Sequence, residues 1–272
     1  MVLKNSSRTR TSLSMERGQG VDWRRPVLRA LAFALFMGLW EVQALRFGPG
    51  IVPSPAEVGT ALVRLLPEQD FWAAVWATIS GSIIGLAIAA VLAVPLGMLV
   101  GASPFFGAST RLSVDFLRTI PPVTLIPLIV LLYGPSTWMK IVLIVFGCIW
   151  PLFVQATYAI REVDPVLRDF ARAFRLRTRF LWLNVLLPSS APFLLTGFRI
   201  ASTIALLLAV AAELIGNAPG IGREITLAQM GAQVPTAYAY VVIAALLGVA
   251  VNLGTGLGQR KALFWHPSVR GR

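Results

Sequence analysis

Four charged side chains fall where the surrounding sequence is apolar: Asp115, Arg118, Arg199 and Glu213. A charge at the centre of a bilayer costs at least ~2.5–3.5 kcal/mol, so each one needs a partner or a task. Arg118 lies one helical turn beyond Asp115 and is one candidate partner for it. Arg199 has two readings, as a structural partner of Asp115 or as a cation that draws an anion into a pathway. Glu213 either pairs with a nearby polar group or caps the loop that follows. Cys148 is the sole cysteine, which excludes an internal disulfide framework and leaves it as a packing residue. His266 is the sole histidine, so a histidine-cluster metal site is excluded as well. The chain contains no GxxxxGK[ST] phosphate loop, no HExxH and no GxSxG. No Ser-His, His-Asp or paired-Asp arrangement lies inside the apolar stretches. Catalytic residues, a metal and a cofactor are therefore not expected.

The elements that must hold these charges are membrane helices. Hydrophobic residues make up 56% of the 272 residues and charged residues 13%. A soluble domain carries about 25% charged residues, so too little charge is present to cover a water-facing surface of this size. Residues 71–110, 119–139, 141–160 and 225–259 carry no Asp, Glu, Lys or Arg. A span needs ~20 mostly apolar residues. Six spans are expected, over 27–45, 73–100, 112–132, 139–160, 190–214 and 238–259. The stretch 71–110 is read as one tilted span with a flanking loop. The basic segment 1–26 reads as a disordered tail and not as a cleavable signal peptide. A second tail covers 261–272, and 27–260 is the membrane domain.

Lys and Arg total 24 against 12 Asp and Glu, a net charge of +12. The excess is unevenly placed. Lys4, Arg8, Arg10, Arg17, Arg24, Arg25 and Arg29 precede or open the first span. Arg161, Arg168, Arg172, Arg175, Arg177 and Arg179 crowd the segment between spans four and five, and Arg260, Lys261, Arg270 and Arg272 follow the sixth. By the positive-inside rule both termini and the 161–189 loop are cytoplasmic. The basic balance reads as membrane topology, and nucleic acid is not an expected partner.

Two spans carry irregularities. Pro121, Pro122 and Pro127 interrupt the third, each removing an N–H donor and freeing a carbonyl. Non-helical backbone at that depth persists only when buried in protein or facing water. The break therefore reads either as an ordinary kink or as pathway lining, with Thr119 and Thr124 as the polar contributors. Gly81, Gly85, Gly97 and Gly101 recur in and just after the second span. They allow close helix approach, as static packing or as a hinge.

Residues 161–189 form the one large connection on the basic side. Asp164-Pro165 is a helix start, an N-cap acceptor followed by a proline at the first helical position. A helix over 164–180 would place Leu167, Phe170, Ala171 and Phe174 on one face. Arg168, Arg172, Arg175 and Arg179 fall on another. This amphipathic helix either lies on the anionic lipid surface, with its Phe face against the spans, or docks into a cytoplasmic partner.

The segment resembles the EAA loop of permease subunits of bacterial ABC importers. That pattern is Glu-Ala-Ala, three residues, Gly, nine residues, then Ile-x-Leu-Pro. Asp169-Phe170-Ala171, Arg175 and Val185-Leu186-Leu187-Pro188 keep its spacing throughout. Ala171, Leu187 and Pro188 match in kind, while Asp169, Phe170 and Arg175 depart from it. The resemblance extends over about 48–260. It includes Pro53-Ser54-Pro55, Pro95-Leu96-Gly97, Phe116-Leu117-Arg118-Thr119-Ile120-Pro121-Pro122, Gly197-Phe198-Arg199-Ile200-Ala201 and Ala212-Glu213-Leu214-Ile215-Gly216. The chain is similar to the permeases for nitrate, taurine and alkanesulfonates.

The resemblance implies an all-α, six-span permease of the type I ABC importer kind. Its partners would be ABC ATPase subunits, a second permease subunit (an identical copy, as a homodimer) and an extracytoplasmic solute-binding protein. It would reside in the inner membrane and would not itself be an enzyme. Asp169, Phe170, Ala171, Phe174, Arg175 and Pro188 would couple it to the ATPase. Thr119, Pro121, Pro122, Thr124 and Arg199 are the candidates for the translocation path. A sulfonate, taurine or nitrate is the first expectation for substrate, and a pyrimidine-type vitamin precursor the alternative. A secondary transporter would need mid-membrane ion sites in related halves, and no internal repeat is visible.

Overall fold

The computed structural model describes residues 24–163, 165–174 and 177–264. All regular structure among them is helical. The long apolar helices are α1 (Arg24–Phe47), α3 (Gln69–Ala102), α6 (Thr137–Arg161), α9 (Leu187–Gly216) and α11 (Val234–Ala262). Shorter ones connect them: α2 (Pro55–Leu65), α4 (Pro104–Leu117), α5 (Ile126–Tyr133), α7 (Pro165–Ala173), α8 (Thr178–Phe180) and α10 (Ile221–Met230). Five helices are long and apolar enough to cross a membrane, and α4 with α5 makes a sixth, broken crossing.

Local sequence explains the element ends. Ser54 accepts from the Glu57 N–H at 3.2 Å while the Glu57 carboxylate accepts from the Ser54 N–H at 2.8 Å, a reciprocal cap on α2. Ser136 caps α6 through the Met139 N–H at 3.3 Å. Asn217, in the left-handed conformation at φ 54°, ends α9.

The third span is not the single helix 112–132. It begins earlier, at Pro104 behind the Ser103 cap, and turns by 70° between Pro104–Leu117 and Pro122–Tyr133. The cause is the Pro121-Pro122 pair. Pro121 is extended, at φ −64° and ψ 121°, and a tight turn over Pro122–Leu125 leads into α5. The 164–180 helix is likewise shorter than expected, because α7 ends at Ala173. Upstream of α9 the chain widens into π geometry over Leu181–Leu186. Pro188 has no N–H for the Asn184 carbonyl, which removes one bond of a regular α-helix at this turn.

The centre is α3, α6 and α9. Ala89, Ala93, Leu143, Ile144, Cys148, Ala201, Ala205 and Ala209 are buried there, with Ile126 and Ile129 of α5 beside them. Small residues bring the backbones together. A Cβ on Gly81, Gly85, Gly97 or Gly101 would lie 2.5–2.6 Å from atoms of α6, so the glycines of the second span are packing residues. Cys148 is fully buried, its Sγ 3.3 Å from the Ala201 carbonyl oxygen. A second core joins α2, α3, α10 and α11 through Val58, Phe71, Ile221 and Tyr240. A third, at the other end of the bundle, joins Met98, Ala156, Ile160, Val163 and Leu186.

Candidate functional site

Two places in the bundle combine polar chemistry with unusual backbone, and a third carries the amphipathic segment. The first is the end of the α3, α6 and α9 bundle at which α6 begins. Lys140 and Glu213 are each 0% exposed, with Nζ 2.7 Å from Oε1. The ammonium also donates to the carbonyls of Ala77 at 2.8 Å and Pro219 at 2.7 Å, so its three hydrogens are all engaged. The second carboxylate oxygen accepts from the Gly222 N–H at 3.0 Å and stands 2.9 Å from the Thr78 hydroxyl. Thr78 in turn accepts from the Ile221 N–H at 3.0 Å. The carboxylate thus meets the Gly222 N–H in the first turn of α10, where the helix dipole favours it. Gly220, at φ 149°, lies against the Glu213 carboxylate, leaving no room for a Cβ. One network ties four helices at one end of the molecule.

Of its members, sequence reasoning identifies Glu213 as needing a partner and misses Lys140. The signal was present, because Lys140 alone separates the charge-free stretches 119–139 and 141–160. It carries the opposite sign to Glu213, 73 positions away.

The second place is the break between α4 and α5. Thr119 and Thr124 are exposed, their hydroxyls donating to the carbonyls of Phe116 at 2.6 Å and Pro121 at 2.7 Å. Pro121 is exposed too, whereas Pro122 packs beside Gly147 of α6. These four residues share one short segment. Arg199 does not join them. Its Nε and one terminal nitrogen lie 3.1 and 2.9 Å from Asn252 Oδ1 of α11. One turn away along α9 and about two along α11, Gln259 donates to Thr196 at 3.2 Å. The Asp115–Arg199 pair is therefore incorrect: Asp115 is bound by Arg118 of its own turn at 3.1 Å and approached by Arg111 at 3.9 Å. Arg199 is exposed and paired with a neutral amide, so its full charge is retained.

The third place is α7 and its surroundings. Leu167, Phe170 and Phe174 are 41%, 55% and 65% exposed. The two Phe rings stack at 4.3 Å between centroids. The apolar face is thus not laid against the spans, as the lipid-surface reading required. Asp169 and Pro188 are exposed. Arg175 and Asp164 lie outside the described residues, as does the side chain of Ala171. Val163 and Leu186 are buried on either side of the segment, so an exposed element is held between two anchored ends.

A bundle of apolar helices with one broken crossing and an exposed amphipathic segment at one end is the architecture of a multi-pass membrane protein. The family model for the binding-protein-dependent transport system inner membrane component matches residues 93–261, and the chain belongs to that family. It is an ABC importer permease subunit of the sulfonate, taurine and nitrate type. A Bacillus subtilis protein named as an aliphatic sulfonates transport permease is 29% identical over 243 residues, covering 88% of this chain and 87% of that one. The taurine transport system permease protein of Escherichia coli is 27% identical over 263 residues, covering 92% and 95%. The nitrate import permease protein of Leptolyngbya laminosa is 26% identical over 265 residues, covering 93% and 94%. A solved structure of the MetNI methionine ABC transporter superposes with a TM-score of 0.63 at 19% identity, over 72% of this chain and 98% of that one. It supports the fold alone.

Proposed function

We propose that this permease carries a small organic anion, a sulfonate or taurine, or nitrate, along a path between two copies of the chain. Both termini and the 161–189 segment face the cytoplasm, where ATPase subunits bind. A solute-binding protein delivers substrate on the opposite side. Asp169, Phe170, Ala171, Phe174, Arg175 and Pro188 belong to the ATPase contact. Thr119, Pro121, Pro122, Thr124 and Arg199 belong to the path. The names of the relatives support the substrate class, and the retained charge of Arg199 agrees with an anion.

The observation that carries the coupling role is the exposed Phe170–Phe174 stack between two buried anchors. An aromatic pair standing off the bundle contributes little to the fold of the lone chain and much to a partner that buries it. Phe170→Asp should therefore leave the inserted, folded chain at normal yield. It should sharply reduce both co-purification of the ATPase and uptake. Full uptake with normal ATPase association would show that α7 serves something else. In the same uptake assay taurine, an alkanesulfonate, nitrate and a neutral pyrimidine separate the substrate classes. Uptake of the pyrimidine alone would remove the anion reading.

A further inference from the structure

A hollow of about 280 Å³ lies between α4 and α6, at the end of the bundle that carries α7. Arg111, Asp115, Arg118, Tyr158 and Arg161 line it. Three guanidinium groups face one carboxylate, so the hollow holds two uncompensated positive charges. Asp115 is shared between Arg118 at 3.1 Å and Arg111 at 3.9 Å. Arg161 has no ion-pair or hydrogen-bond partner among the described residues. Its guanidinium lies over Gly107, where a Cβ would collide with it. The absence of a side chain there is what lets Arg161 reach into the hollow from the last turn of α6.

The outer face of α4 is apolar. Phe105, Leu112 and Phe116 are spaced seven and then four residues apart on one stripe, and are 71%, 82% and 67% exposed. A cationic hollow opening beside an exposed apolar stripe, at the end of a membrane bundle, matches an amphiphile with an anionic head. The geometry points to a binding site for an anionic phospholipid. Its headgroup phosphate sits among Arg111, Arg118 and Arg161, and its acyl chains lie along Phe105, Leu112 and Phe116. Guanidinium forks suit a phosphate bidentately, and basic pockets between membrane helices are a recurrent seat for such heads. Asp115 sets the strength of the site, because it competes with the phosphate for the same two arginines.

The test uses the full chain in nanodiscs of phosphatidylcholine with a minority of phosphatidylglycerol, with retained lipid read by native mass spectrometry. Arg111→Gln with Arg161→Gln should lower retained phosphatidylglycerol about tenfold, with the melting temperature in pure phosphatidylcholine unchanged. Asp115→Asn should raise retention roughly threefold, a direction that a purely structural role for these residues does not produce. Equal retention in the wild type and the arginine variant overturns the proposal. Displacement of the lipid by millimolar inorganic phosphate overturns it too, since that marks a site for free anions. If the arginine variant does not fold, the Asp115→Asn chain decides alone: raised retention supports the site and unchanged or lowered retention overturns it.

Discussion

Near the start of α6, Lys140 is fully buried and each of its ammonium hydrogens has an acceptor. At the last turn of the same helix, Arg161 is exposed and borders an open hollow. α9 repeats the contrast. Its C-terminal end holds Glu213 in the network with α3, α6 and α10, while its N-terminal end follows a π-widened turn and the exposed α7. One end of the α6–α9 pair is thus locked by a closed set of charges. The other is tied by Val163, Leu186 and a Ser190 bond to the Ala159 carbonyl at 3.2 Å. In the proposed coupling, force applied at α7 would act on the loosely tied end, with the Lys140–Glu213 network as the fixed one.

The contrast breaks most readily at the locked end. Lys140→Ala leaves the buried Glu213 carboxyl without its counter-ion beside the α10 N-terminus, a loss of about 3–5 kcal/mol. Folded yield in mild detergent should collapse. The double change Lys140→Met with Glu213→Leu removes both charges and should recover much of that yield, because no orphan charge is left. Near-normal yield for Lys140→Ala alone would show that this end is not the anchor.

A second measurement asks whether close backbone packing holds α3 to α6 along its length. A Cβ at Gly97 would lie 2.5 Å from the Phe153 carbonyl oxygen, and a backbone atom cannot rotate away. Gly97→Ala should cost about 1–3 kcal/mol by overpacking. Gly258 of α11 has nothing within 4 Å of its Cβ position, and Gly258→Ala should move the thermal midpoint very little. Equal shifts for the two would remove the packing account.

Arg199 sharpens the comparison differently, since its bond to Asn252 is exposed and joins helices without locking them. Arg199→Gln should leave yield near normal. It should raise the apparent KM for an anionic substrate about tenfold, or ~1.4 kcal/mol. An unchanged KM would take Arg199 out of the path.

Much of this was legible in the chain. The charge-free stretches located α3, α6 and α11, and the apolar runs around Arg29 and Arg199 located α1 and α9, because a membrane helix needs length and apolarity, both local properties. The prolines at 121 and 122 marked the broken crossing, and the spacing of Gly81, Gly85, Gly97 and Gly101 marked the tight helix pair. What was hidden depended on distance or angle. The Pro121-Pro122 pair announces a break, but its size, 70°, is not written in any local pattern. Glu213 was visible as a charge in need of a partner, but the partner lies on another helix. Lys140, at the edge of its span, had the look of a boundary residue. For Asp115 the sequence offered two arginines, and the structure pairs it with Arg118, one turn away, and not with Arg199 of α9.

The smallest expected effect belongs to the exposed ion pair, and it tests the comparison from the loose end. Asp115 and Arg118 are as well matched in charge as Lys140 and Glu213, and their separation of 3.1 Å is close to the 2.7 Å of the buried pair. Their side chains, however, are 47% and 50% exposed. Water and salt screen them, and two side chains must be ordered to make one contact. The pair should therefore contribute less than about 1 kcal/mol. A double-mutant cycle with Asp115→Asn and Arg118→Gln, read as melting temperatures in phosphatidylcholine nanodiscs, should give a coupling within that bound. The coupling should fade further in high salt. The same cycle on Lys140 and Glu213 should give a coupling several times larger and insensitive to salt. If the two couplings came out equal, burial would not be what separates the two ends, and the difference in rigidity would have to come from helix packing alone.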